Sequence, residues 1–594
     1  MVGSKDLKDI ANIMRRDVLE MTTKAGSGHP TSCMSCAEII SCLFFGHMKY
    51  DIKDSHANNN DEFILSKGHA APILYSALFR TGAINNNLMS LRKFGSKFEG
   101  HPLPSVFPWA KVATGSLGQG LSVGVGMALA AKLDGRDYNT YVLLGDSEMA
   151  EGSNYEAMQL ANYYKLNNLT AIIDMNRLGQ RGETMLGHDA ISYKKRFESF
   201  GWKAIIIDGH NINDIIKGLR KKSKTPKVII AMTLKGKGFN YIQNKDGWHG
   251  KALDEGLLRL ALKKIPNPTM PKFNIEKRKK FSHRIKTNPV KFNNYRIGSS
   301  MATRKAYGNI LNKLGQSNKN ILALDAEVSN STHSNKINKN QFIECFIAEQ
   351  NMIGMSLGLS KKGYNIFAST FAAFLTRAHD QLRMATFSNA NFTVCGSHAG
   401  VSIGQDGVSQ MGLGDLSMFR NFPESTIFYP SDAVSCEKLT VLASRTKGLK
   451  YIRTTRADTP VLYNKKEKFE LGDFKILKRG SDYTLVGSGI TLHECLKASE
   501  KLKGCSVIDL YCIKPFKKEK FLDFVKKHGK KIVIVEDHFK EGGIGEMISS
   551  LLDNNMKIKH LCIKKIPHSG DKDKLIEKYG INEDSIIEAV KGKW

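Results

Sequence analysis

The sequence predicts an α/β protein built from three consecutive domains with mostly parallel sheets. Short apolar runs alternate with helix-like segments through most of the chain, the pattern of strand-helix-strand units. A basic stretch with scattered prolines interrupts that alternation once. The 594 residues leave room for roughly three to four domains at about 150 residues each.

In the first domain, 1–263, strands are expected at 62–65, 140–144, 170–174, 204–207 and 228–232, with helices such as 153–164 between them. Residues 264–297 read as a linker. Pro266, Pro268, Pro271 and Pro289 fall there among basic residues that include Lys277-Arg-Lys-Lys280, with little periodicity. The second domain, 298–465, has strand candidates at 321–324, 343–347, 366–369, 392–395 and 427–429. The third, 466–594, has Tyr483-Thr-Leu-Val-Gly, Ser506-Val-Ile-Asp-Leu and Ile532-Val-Ile-Val-Glu536.

Composition excludes several classes. No run of 18 apolar residues occurs, so no membrane partner is expected. The first residues are charged and lack a signal-type apolar region, and Lys591-Gly-Lys-Trp594 is not a peroxisomal tail; a cytoplasmic protein is expected. Cys33-Met-Ser-Cys36 is the only Cys-x-x-Cys among ten cysteines, with no second pair to complete a zinc site, and reads as buried cysteines, with a redox pair as the lesser alternative. The net charge of +31 invites a nucleic-acid reading. Much of that charge is dispersed, however, and the basic runs lack interleaved aromatics. Asn58-Asn-Asn60 and Asn85-Asn-Asn87 point to lysine and asparagine drift in surface loops. No nucleic-acid partner is expected, although a basic surface draws in anionic sugar phosphates.

Two stretches carry the chemistry. Tyr141-Val-Leu-Leu-Gly145-Asp146-Ser147-Glu148 is an apolar strand opening into a Gly-Asp turn, and Ile172-Ile-Asp174-Met-Asn176 delivers an amide thirty residues after Asp146. One strand-helix-strand unit puts both oxygens at the same rim of a parallel sheet, where they suit a hard cation such as Mg²⁺ with a diphosphate. Asp146, the Asn176 side chain and a backbone carbonyl near Leu178 make the expected metal set. The second stretch is Phe346-Ile-Ala-Glu349-Gln350-Asn351, a carboxyl at a strand end that could equally cap the next helix.

Five histidines sit in glycine-flanked turns of the first domain: His29, His69, His101, His210 and His249. Glycine lets a ligand approach the backbone, so a cluster that binds polyol and phosphate oxygens and moves protons is expected. Ala113-Thr-Gly115-Ser116-Leu117-Gly-Gln-Gly120 could cradle phosphate or serve as a packing turn. Ser369-Thr-Phe371-Ala-Ala-Phe374 offers aromatics for stacking on a pyrimidine or for a core. Arg304, Ser331, His398, Asp406 and Arg456 lie near predicted strand or loop ends, and arginine suits phosphate through its planar fork. Gly542-Gly-Ile-Gly545 lacks the full nucleotide fingerprint and reads as a turn.

Together these blocks resemble the transketolase family from about residue 10 to 590. The resemblance rests on Ala25-Gly-Ser-Gly-His-Pro-Thr-Ser32, Leu65-Ser-Lys-Gly-His-Ala-Ala-Pro-Ile-Leu-Tyr75, the 113–120 loop, Trp248-His-Gly250, Ile347-Ala-Glu-Gln-Asn351, Gly396-Ser-His398 and Glu536-Asp-His538 through Gly545. Gly404-Gln-Asp-Gly-Val-Ser-Gln410 is similar to the animal-type branch, with glutamine where other members carry histidine.

The resemblance implies a thiamine diphosphate-binding fold plus a C-terminal transketolase-type domain. It also implies a homodimer with sites at the subunit interface, and Mg²⁺ with Ca²⁺ or Mn²⁺ as substitutes. Ser32, His69, Gly115, Ser116, Leu117, Ser147, Asn176, Lys235 and His249 would surround the cofactor from one subunit, and Glu349, Phe374 and Gln410 from the other. His29, His101, His249, Arg304, Ser331, His398, Asp406 and Arg456 would meet substrate. Glu349 would hydrogen-bond the pyrimidine and favour its imino form, while His29, His69, His101 and His249 move protons. The implied reaction passes a two-carbon ketol unit from xylulose 5-phosphate or sedoheptulose 7-phosphate to ribose 5-phosphate or erythrose 4-phosphate, in the pentose phosphate pathway. One departure is visible: Gly145-Asp146-Ser147 stands where the family usually has Gly-Asp-Gly. The resemblance implies that this position acts through its backbone N–H, which serine retains, so function is expected to survive; if the position needs a positive φ, serine strains it. The alternatives are another thiamine diphosphate enzyme such as deoxyxylulose-phosphate synthase, and a basic nucleic-acid-binding pseudoenzyme.

Overall fold

A computed structural model describes residues 2–281, 287–553 and 555–594. The chain forms two compact units. The first comprises Met1–His283 with Leu357–Lys362 and Phe387–Asn389; the second comprises Arg284–Ser356, Gly363–Thr386 and Ala390–Trp594.

The first unit is built on a five-stranded, all-parallel sheet in the order Glu62–Leu65, Thr140–Gly145, Leu169–Met175, Lys227–Met232, Lys203–Asp208. Its central strands read as continuous apolar runs because helices cover both faces, and every residue of Leu169–Met175 is buried. These strands match the predicted ones to within a residue or two. The helix expected at 153–164 is Gly152–Tyr163.

In the second unit, a seven-stranded sheet runs Cys512–Lys514, Thr426–Phe428, Leu449–Arg453, Phe392–Ser397, Asn365–Phe371, Ile321–Asp325, Phe342–Glu344. Only Cys512–Lys514 is antiparallel. A separate five-stranded sheet follows the order Lys475–Lys478, Cys505–Asp509, Tyr483–Gly487, Lys531–Phe539, Lys557–Ile563. The second and third predicted domains share this unit for a physical reason. Cys512–Lys514 leaves the third domain to pair with Thr426–Phe428, and Arg453, fully buried, bonds both Asp415 and Asp537 at 2.8 Å.

Two expectations need correction. The strand predicted at 343–347 stops at Glu344, because Phe346 takes a left-handed φ of 55°. The stretch predicted as a linker makes specific contacts over its described part. Arg278 bonds Asp61 and Asp137, Lys277 pairs with Asp51, and Met270, Phe273 and Ile275 pack against the first core. Val290, Phe292 and Tyr295 pack against the core of the second unit. Residues 282–286 of that stretch lie outside the described residues. Finally, six strands escaped the reading, among them Leu449–Arg453, whose Lys450 and Arg453 disguise a central buried strand.

Candidate active site

Gly145 lies opposite Asp174 in the parallel register, so the segments that follow emerge together at one rim. Asp146 and Asn176 are buried there. Asp146 Oδ1 accepts the Ser147 N–H at 2.9 Å, and Oδ2 accepts the Arg177 N–H at 2.6 Å. Burial, and after it the neighbouring Asp174 carboxylate, push Asp146 up to about 6. Asn176 Nδ2 donates to Asp174 Oδ2 at 3.1 Å, which fixes the opposite direction for its Oδ1. The Leu178 carbonyl already accepts from Lys235 Nζ at 2.6 Å, and a second lone pair remains on it. A carboxylate, an amide and a carbonyl oxygen form a donor set that fits a hard cation.

Ser147 causes no strain. Its backbone is not among the positive-φ residues, and its N–H makes the contact that a glycine would make.

Four of the five glycine-flanked histidines converge. The His29 ring centroid lies 5.2 Å from His69, 5.0 Å from His249 and 6.2 Å from His101, and His69 lies 5.3 Å from His249. Burial leads the causes that hold all four below the ordinary imidazole range. His29 falls to about 4, with Arg92 next among its causes, and His249 to about 3, with Lys235 next. These rings are therefore neutral at pH 7. His29 Nδ1 and Ser32 Oγ are buried with no hydrogen-bond partner among the described residues, as expected of groups awaiting a ligand. Lys235 Nζ meets His249 Nδ1 at 2.7 Å, and burial brings this lysine down to about 8.

His210 stands apart from the cluster. Its Nε2 accepts the Leu234 N–H at 2.9 Å and its Nδ1 faces Glu38 Oε2 at 3.1 Å, a bridging role between two buried segments.

The 113–120 loop reaches this rim. Gly115 lies against His101, whose ring would be 3.3 Å from a Cβ added there. Gly68 must be glycine, because a Cβ would meet the Thr114 carbonyl at 2.3 Å. Ser116 and Leu117 are half-buried between Gly115 and Gly118.

Sequence reasoning missed Lys67 and Asp174, although both lie inside quoted motifs. They form an ion pair beneath the histidines. Lys67 Nζ also donates to the Ser32 carbonyl at 2.9 Å, while Asp174 accepts from Ser35 Oγ at 2.6 Å and Thr233 Oγ1 at 2.5 Å. The polar ends of two distant apolar segments give no periodic signal of such pairing. Cys33 and Cys36 are buried nearby, their thiols pushed up by burial.

In the second unit, Glu349 opens the helix Glu349–Lys361, is buried, and pairs with Arg377 at 2.8 Å. Arg377 was not anticipated. It is half exposed and lies over the Phe374 ring, 5.1 Å from its centroid. Phe374 stacks on Phe371 at 5.3 Å, and His398 stacks on the same Phe371 at 3.9 Å. Gln410 is half-buried at the end of the short turn Val408–Gln410.

Arg304 donates to the Ser331 carbonyl at 2.8 Å, and its Nε is buried with no partner among the described residues. Arg456 donates to Asp406 at 3.0 Å and to the Ile403 carbonyl at 2.9 Å. Burial lowers His398 to about 3, with Arg304, Arg456 and His333 contributing after it. A gathering of cations that depresses a histidine fits an anionic ligand.

Gly542-Gly-Ile-Gly545 is a capped turn. The Glu536 carboxylate accepts the N–H groups of Ile544 at 2.6 Å and Gly545 at 3.0 Å, filling the place a phosphate would take.

Three family models cover nearly all of the chain: "Transketolase, thiamine diphosphate binding domain" over 7–295, "Transketolase, pyrimidine binding domain" over 299–461, and "Transketolase, C-terminal domain" over 472–586. The chain belongs to the transketolase family. Transketolase from Rattus norvegicus is 45% identical over 99% of this chain and 97% of its own, and that from Homo sapiens is 44% identical over the same shares. Among solved structures, transketolase from Campylobacter jejuni matches with a TM-score of 0.89 and 25% identity over 100% of both chains. Membership in the transketolase family accounts for the three large sheets and for a thiamine diphosphate-binding domain at the N-terminal end.

Proposed function

We propose that the chain is a transketolase that moves a two-carbon ketol unit from a ketose phosphate to an aldose phosphate. The observation that carries this reading is the group of four neutral imidazoles beside the Asp146–Asn176 rim. Full-length similarity to curated transketolases supports it.

When bound, thiamine diphosphate supplies the nucleophilic carbon and the electron sink for carbon–carbon bond chemistry. Asp146, Asn176 and Leu178 would hold Mg²⁺. Ser32, Gly115, Ser116, Leu117, Ser147 and Lys235 would hold the diphosphate end, with His69 and His249 alongside; Phe374 and Gln410 would hold the pyrimidine. Glu349 would keep a proton at a pyrimidine nitrogen. His29, His69, His101 and His249, being neutral, take up and return substrate hydroxyl protons. Arg304 and Arg456, with Ser331, His398 and Asp406, would orient the sugar phosphate.

The proposal includes the domain bounds 1–263, 298–465 and 466–594 around the linker 264–297. It also includes a homodimer in which one copy supplies the Asp146 set and the other the Glu349 set. A cytoplasmic location suits ten free, buried thiols.

The test is a spectrophotometric assay with xylulose 5-phosphate and ribose 5-phosphate, with and without thiamine diphosphate and Mg²⁺. Transfer that requires both additions supports the reading; no transfer by cofactor-loaded protein contradicts it. Carbon dioxide release from pyruvate would instead favour a deoxyxylulose-phosphate synthase.

A further inference from the structure

Glu148 sits two residues beyond Asp146, in the short helical turn Ser147–Ala150, and is 2% exposed. Its carboxylate is an acceptor shared by three segments that are far apart in sequence. Oε1 takes the Ser66 hydroxyl and the Gly118 N–H, the latter at 2.8 Å. Oε2 takes the Gly145 N–H at 3.0 Å. Ser66 begins the turn that carries Lys67 and His69. Gly118 closes the loop that holds Gly115, Ser116 and Leu117. Gly145 precedes Asp146. One buried side chain thus ties together the three backbone segments that line the rim.

Pairwise bonds also link these segments, from the Ser66 and Lys67 N–H groups to the Leu143 carbonyl, from Thr114 Oγ1 to the Leu65 carbonyl and from Ser153 Oγ to the Gly118 carbonyl, but the Glu148 carboxylate is an acceptor common to all three. Gly118 has a φ of 82°, and a Cβ there would lie 2.4 Å from Glu151 Cβ. A Cβ on Gly120 would lie 2.4 Å from Ser66 Oγ. The loops therefore approach one another without interposed side chains, and polar contacts must set their register. A carboxylate can accept from all three donors at once; a carboxamide cannot, because one of its ends is itself a donor. Either orientation of a glutamine would set an N–H against the N–H of Gly118 or of Gly145, leaving a buried donor unpaired.

We propose that Glu148 is a positioning residue for the cofactor's diphosphate, acting by locking the Ser66–His69 turn, the Gly115–Gly118 loop and the Gly145–Asp146 turn into one register. The inference rests on the thiamine diphosphate reading above. Outer-shell groups of this kind hold binding atoms in place without touching the ligand.

The experiment is calorimetric titration of thiamine diphosphate into the full-length protein in Mg²⁺, using wild type, Glu148→Gln and Ser66→Ala. Each protein is also followed by urea unfolding without cofactor and by steady-state kinetics. Glu148→Gln should weaken cofactor binding about tenfold or more, the scale of one mispaired buried hydrogen bond. Ser66→Ala removes one tie without leaving an N–H unpaired and should weaken binding a few-fold. The KM for the sugar phosphates should stay at the wild-type value in both. A purely structural role predicts a lowered unfolding midpoint with unchanged cofactor affinity, and that result would overturn the proposal. If Glu148→Gln does not fold, Ser66→Ala decides alone, and wild-type affinity in it overturns the proposal. Wild-type protein that fails to bind thiamine diphosphate would refute the functional reading itself, a distinct outcome.

Discussion

The Lys67 ammonium and the Asp174 carboxylate form an ion pair closed off from solvent, with side-chain exposures of 1% and 0%. Burial pulls Lys67 down, the facing Asp174 outweighs it, and the lysine titrates above its ordinary value. Asp174 also receives Ser35, Thr233 and Asn176, so the pair joins four segments beneath the imidazoles. Removing one partner leaves a buried charge uncompensated. Lys67→Met should cost about 3–5 kcal/mol in urea unfolding at pH 7. A loss below about 1 kcal/mol would mean that the pair is not closed off as described.

The imidazole cluster gives stability a pH dependence of definite sign. His29 and His249 are lowered in the folded protein to about 4 and about 3, chiefly by burial, while unfolded histidine titrates near 6.5. The unfolded chain therefore binds more protons between those values. The stabilising contribution is complete above about pH 6.5 and is lost as the pH falls toward 4. Urea midpoints should drop from pH 7 to pH 5. A variant with both rings replaced by asparagine should show a shallower drop; an equal slope would remove the cluster as its source.

Much of the fold was legible because parallel strands buried on both faces read as apolar runs bounded by glycine turns. Thr140–Gly145 and Leu169–Met175 announce themselves in this way, and with them the rim that carries Asp146 and Asn176. Edge and charge-bearing strands did not. Ser300–Ala302 and Asp458–Pro460 are too short to show a period, and Leu449–Arg453 hides two buried basic side chains, Lys450 bonded to Asn391 and Arg453 to Asp415 and Asp537. Glycine flanks brought out four converging histidines but also admitted His210, since a tight turn and a ligand approach need the same residue. Long-range partners such as Lys67 with Asp174, or Glu349 with Arg377, leave no local trace.

Asp146 should be indispensable for metal-dependent cofactor binding. Its two oxygens organise the turn through Ser147 and Arg177, and it is the only carboxylate of the proposed metal set. Asp146→Ala should stay folded by circular dichroism yet show no Mg²⁺-dependent thiamine diphosphate binding in calorimetry. Unchanged affinity would remove Asp146 from the metal set.

Glu349 should control activation and not affinity alone. Glu349→Gln keeps the shape but loses the charge that pairs with Arg377. Exchange of the cofactor's C2 proton with deuterium, followed by NMR, should slow by about 10²-fold or more. Exchange at the wild-type rate would assign Glu349 only the ion pair with Arg377 seen in its own unit.

The central claim is that the Asp146 set and the Glu349 set serve one reaction centre shared by two copies of the chain. Inactive Asp146→Ala and Glu349→Gln proteins should complement when mixed. Random exchange yields about half heterodimers, each with one intact centre and one carrying both lesions. Activity in the xylulose 5-phosphate and ribose 5-phosphate assay should then recover to roughly a quarter of wild type if the centres are independent. Mass spectrometry that shows subunit exchange with no recovered activity would contradict the account.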